Sequence, residues 1–91
     1  MFVYELTCVF SQESDSKKLI KKIEDWLKEI GAKIEKKEDW GKKELAYRIK
    51  KNSQGHYVFW QIKTEPSKVG GLFPKIKLES EIIRHLLVRT S

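Results

Sequence analysis

Three features of the 91-residue sequence predict an α+β chain of order β-α-β-β-α-β: an alternating segment at the N-terminus, an amphipathic helical stripe after it, and two further alternating segments around a polar turn. The first and third have the two-residue period of a strand, the second the 3.6-residue period of a helix. Strands joined through two helices, with a hairpin in the middle, give a four-stranded antiparallel sheet carrying both helices on one face, the ferredoxin-like plan. The length suits one domain, residues 1–91, with one core.

In residues 2–10, Phe2, Tyr4, Leu6, Cys8 and Phe10 share a face and predict a half-buried strand. Ser11–Ser16 is rich in capping residues. Leu19, Ile20, Ile23, Trp26, Leu27 and Ile30 then mark a helix over 16–30, closed by Gly31. Residues 32–51 read as a long strand with a defect. Ile34, Lys36, Glu38 and Trp40 share a face, but beyond Gly41 the apolar parity moves to Leu45, Tyr47 and Ile49, as a bulge near Gly41 would cause. Tyr47 is therefore expected inward. Residues 51–55 read as a turn, and a third strand runs from His56 to Thr64 with Val58, Trp60 and Ile62 inward. Tyr57 and Phe59, on the face of Gln61 and Lys63, are expected outward, either as a contact surface or as cross-strand packing. Pro66 opens a second helix that Gly70, Gly71 and Pro74 make short or kinked. A last strand, about 84–90, is expected to turn Leu86 and Val88 inward and His85, Leu87 and Arg89 outward.

The net charge of +6 is unevenly spread: five Lys face six acids in 1–32, eight Lys/Arg face four acids in 33–51, and six face three in 52–91. A local basic excess suits a polyanion, although a solvated Lys/Glu surface has the same composition. One cysteine forms no internal disulfide and fits a reducing compartment. The N-terminus lacks the basic leader of a signal peptide, and no run is long enough to span a membrane, so a soluble cytoplasmic protein is expected. Two histidines without Cys or carboxylate at ligand spacing make no metal site, and no cofactor or small-molecule substrate is expected.

The run Glu38-Asp39-Trp40-Gly41-Lys42-Lys43-Glu44-Leu45-Ala46-Tyr47-Arg48-Ile49-Lys50-Lys51, followed by Gly55-His56-Tyr57, resembles the bacterial small-subunit ribosomal protein S6 family. So do Tyr4-Glu5, Gly31-Ala32-Lys33-Ile34 and Ile83-Arg84-His85-Leu86, in the same order and spacing. The resemblance implies a non-enzymatic role in the ribosome, binding the central domain of small-subunit rRNA together with ribosomal protein S18. It departs in three places: many members continue further at the C-terminus, so contacts made by such a tail are expected to be missing; Phe2 and Val3 replace basic residues; and Gly70, Gly71 and Pro74 interrupt the second helix.

Candidate RNA- or partner-binding residues are Trp40, Lys42, Lys43, Arg48, Lys50, Lys51, Tyr57, Phe59, Arg84, His85 and Arg89. Lys and Arg along a projecting hairpin meet phosphates, arginine with two oxygens at once. Lysines at an exposed strand also guard against aggregation, and Trp40 suits either hairpin packing or a partner. An acylphosphatase-like enzyme would need a Gly- and Arg-bearing phosphate loop where this chain has the acidic Ser11–Ser16. The alternative is an RRM-like reader of single-stranded RNA, for which Gly55-His56-Tyr57-Val58-Phe59-Trp60 is an imperfect match.

Overall fold

The computed structural model describes residues 2–49 and 51–90. Its elements are β1 (Phe2–Ser11), α1 (Ser16–Glu29), β2 (Lys33–Ile49), β3 (Asn52–Thr64), α2 (Pro66–Val69), α3 (Leu72–Leu78) and β4 (Ile82–Arg89). The four strands form one antiparallel sheet in the order β2-β3-β1-β4. Leu6, Cys8 and Phe10 of β1 and Val58, Trp60 and Ile62 of β3 pack with Leu19, Ile23 and Leu27 of α1 and with Val69, Leu72 and Ile76 of the second helical region. One sheet face is therefore covered by helices, and the other is open.

The caps of α1 follow from sequence. Asp15 accepts a hydrogen bond from the Lys18 N–H, and Gly31, at φ +76°, lets Gly31 N–H reach Lys28 O and Ala32 N–H reach Leu27 O. That is the double bond pattern of a left-handed C-terminal cap. The second helix is broken into two at Gly70–Gly71. The restart at Leu72 puts Pro74 in the first turn of α3, where its missing N–H costs nothing.

Four expectations are corrected. β3 begins at Asn52, not His56: the expected turn residues Ser53–Gly55 are already in the ladder, with Gly55 opposite Ser11 and Lys43. β2 carries a second irregularity between Ile34 and Lys36, so Ile34 faces the helices opposite Ile62 while Lys36 and Glu38 lie on the open face. Tyr47 is not inward but 65% exposed, because beyond Glu44 the hairpin runs past the core. In β4, Ile82 pairs with Phe10 on the covered face, but an extra residue at Ile83 flips the parity. His85, Leu87 and Arg89 consequently face the helices opposite Cys8, Leu6 and Tyr4, and Arg84, Leu86 and Val88 occupy the open face.

A Cβ on Gly55 would overlap Cγ1 of the buried Val9, whereas nothing lies within reach of one on Gly70, whose backbone is right-handed helical. Gly55→Ala should therefore lower unfolding free energy by about 1–3 kcal/mol, and Gly70→Ala should raise it by about 0.4–1 kcal/mol, both read by urea denaturation.

Candidate RNA- and partner-binding surface

The turn end of the β2–β3 hairpin is fastened to β1. Asn52, buried beside the turn, accepts hydrogen bonds at Oδ1 from Ser11 Oγ (3.2 Å) and the Gln12 N–H (3.0 Å), while its Nδ2 donates to Ile49 O (3.2 Å). Gln12 Oε1 in turn accepts from the Gln54 N–H (3.2 Å) and Ser53 Oγ (3.4 Å). Across the turn Lys51 takes a left-handed φ of +67°.

Midway along the hairpin the register slips between Asp39 and Gly41, where Gly41 has φ +74°. The left-handed glycine accommodates the extra residue Trp40 at low steric cost. Asp39 fastens this bulge: its Oδ1 accepts from the Gly41 N–H (2.9 Å) and meets His56 Nε2 at 2.6 Å. Burial pushes the Asp39 carboxyl up, but the Gly41 N–H, His56 and Lys37 outweigh it and hold the group below its ordinary 3.8. Trp40 is laid on the open face, stacked on Phe59 with ring centroids 5.5 Å apart and planes within 9°, and Lys43 Nζ sits 5.4 Å from the Trp40 ring. The bulge thus joins an aromatic pair to a cation.

The expected site residues divide between places. Trp40, Lys43, Tyr57 and Phe59 lie together on the open face. Lys42, opposite His56, is directed to the other side of the hairpin, and Arg48 and Lys51 are exposed at its tip. Tyr57 and Phe59 are half-buried. Arg84 is exposed on the open face and, with Thr7, Val9, Tyr57, His85 and Leu86, lines a depression of about 430 Å³. By register His85 and Arg89 belong to the opposite side: the His85 ring tilts against Phe73 of α3 at 6.1 Å although the residue also borders the depression, and the Arg89 guanidinium lies 4.5 Å from the Phe2 ring. Lys50 lies outside the described residues. Sequence reasoning missed Leu86 (61% exposed) and Val88 (43%), which extend the open face in apolar form across β4. The signal was the paired Ile82-Ile83, two consecutive buried apolar residues whose bulge resets the parity of the strand after them.

A family model described as ribosomal protein S6 matches residues 3–89. The chain is 35% identical over 89 residues to small ribosomal subunit protein bS6 of Desulforamulus reducens, covering 94% of each protein. It is 37% identical over 87 residues to the bS6 of Treponema denticola, again with 94% of each covered. The crystal structure of 30S ribosomal protein S6 from Thermotoga maritima superimposes with a TM-score of 0.92, at 24% identity, over 98% of this chain and 87% of that one, which speaks for the fold.

Because Asp39 is depressed in the folded state, its contribution is complete above 3.8 and is lost as pH falls through its lower folded value. The thermal midpoint of Asp39→Asn should fall below that of the parent near neutrality, with the gap closing below about pH 4; thermal melts from pH 2 to 7 read this directly.

Proposed function

The chain belongs to the ribosomal protein S6 family of the small ribosomal subunit, and from that premise we propose that it binds the central domain of small-subunit rRNA as a pair with ribosomal protein S18. Lys42, Lys43, Arg48 and Lys51 meet RNA phosphates, Lys50 joins them by its place in the run, and the open sheet face receives the protein partner.

The observation that carries this reading is the unneutralised charge of the hairpin. Among the described residues, none of Lys42, Lys43, Arg48 and Lys51 lies within ion-pair distance of an acid, whereas Lys22, Lys37 and Lys75 are each taken by a carboxylate. Cations left without a neutralising acid on an exposed hairpin suit phosphate contacts. The apolar part of the open face, Leu86, Val88 and the Trp40–Phe59 stack, has the chemistry of a protein contact, with Arg84 at its margin. His85 and Arg89, turned toward the helices, support that face from behind.

An RRM-like mode, in which bases stack directly on third-strand aromatics, is disfavoured because Trp40 covers a face of Phe59. The isolated protein should accordingly bind short unstructured RNA weakly.

The triple variant Lys42→Ala/Lys43→Ala/Arg48→Ala should fold normally and lose affinity for a central-domain rRNA fragment. Its log–log salt slope should be smaller by about 2–3, from 0.7–0.9 per phosphate contact; unchanged affinity at moderate salt removes the hairpin from the interface. Adding S18 should tighten rRNA binding by the parent, and Leu86→Asp should abolish that gain while leaving the weak intrinsic affinity in place. Filter binding with and without S18 measures both.

A further inference from the structure

Lys33 and Lys63 are direct cross-strand partners on the open face, at the end of the sheet away from the hairpin tip. Both are exposed, and no acid lies within ion-pair distance of either among the described residues. Among the paired acids on this face, Glu38 is already engaged by Lys36 at 3.8 Å, and Glu5 sits opposite Gln61 and Val88; Glu35, the extra residue of the bulge beside Lys33, is not within ion-pair distance of either lysine. On β1 the neighbour of Lys63 is Val3, which neutralises nothing.

Like charges directly opposite each other destabilise a strand pair. Protection against edge-to-edge association explains a lysine on β2, which is an edge strand, but not one on β3, which is internal to the β2-β3-β1-β4 order. A local rule broken with no compensation inside the fold points to a partner that supplies it.

We infer that Lys33 and Lys63 together grip a phosphodiester of bound RNA, forming a second backbone contact remote from the hairpin. Two ammonium groups from adjacent strands straddle one anion, and the repulsion between them is relieved only in the complex. The inference rests on the rRNA-binding reading above and extends it to the other end of the sheet. Lys36, beside Gln61 on the same face, flanks the grip.

The test measures two quantities that move in opposite directions. Lys63→Gln, Lys33→Gln and the double variant should each raise the melting temperature of the free protein, yet weaken binding to the central-domain rRNA fragment, with the salt slope falling by about 0.7–0.9 per phosphate released. Lys63→Glu, which creates an opposite-charge pair with Lys33, should raise the melting temperature and weaken RNA binding further. Unchanged RNA affinity and salt slope in the double variant, whatever its melting temperature, overturns the inference, as does stabilisation by inorganic phosphate alone with RNA affinity unaffected. The hairpin triple variant serves as reference. If it weakens binding and the Lys33/Lys63 variants do not, only the second contact falls; if neither has an effect, the rRNA-binding reading itself falls.

Discussion

A buried indole must find an acceptor, and in this fold Trp60 finds it across the layer boundary. Its ring is fully enclosed between sheet and helices, and its Nε1–H donates to Glu24 Oε2 of α1 at 3.0 Å. The same carboxylate oxygen takes Lys37 Nζ of β2 at 2.9 Å. Burial pushes the Glu24 carboxyl up, but Trp60 and Lys37 more than offset that, so it remains a carboxylate. One acid therefore ties α1 to the internal strand β3 and to the edge strand β2, and sets where the helix lies on the sheet. Lys37 is also withdrawn from the cations that β2 can offer outward.

That assignment of one lysine inward illustrates how irregularities in the strands partition chemistry between two faces. A perfectly regular β2 would alternate its lysines without regard to use. The slip after Ile34 sends Ile34 and Lys37 toward the helices and Lys36 toward the open side, and the slip at Gly41 then seats Trp40 over Phe59. The irregularity at Ile83 does the corresponding work in β4, trading Leu87 inward for Leu86 and Val88 outward. Three single-residue offsets thus shape a surface that is aromatic beside the hairpin, aliphatic at the opposite edge and basic along the hairpin itself.

Most of the architecture was legible because its signals were local. The α1 stripe, its Gly31 cap, the β1 alternation and the Gly41 bulge each depend on residues within a few positions. The misses were all questions of long-range register. The inward expectation for Tyr47 assumed that the hairpin stayed over the core, and nothing in residues 45–49 records where the core ends. The β3 start was hidden because Asn52, Ser53 and Gln54 have turn composition; they are held extended by Ser11 and Gln12, some forty residues away in sequence. The β4 error came from the same source, since parity beyond a bulge is fixed by the neighbouring strand. At the site, charge and aromatic content could be read from sequence, but sidedness could not, which is why His85 and Arg89 were expected on a face they do not occupy.

The anchoring of the hairpin's turn end has a consequence for association thermodynamics. A long two-stranded arm attached only by its own ladder would sample many orientations, and a ligand would have to pay for freezing them. Here Ser11 and Gln12 tie the turn end of the hairpin, at Asn52 and Gln54, to the end of β1, while the Asp39–Gly41–His56 bonds stiffen its middle. Ordering on binding is then confined largely to long side chains. Most of the entropic penalty has been met during folding, so the arm meets its target as a nearly rigid prong whose electrostatic attraction is converted into affinity with little loss.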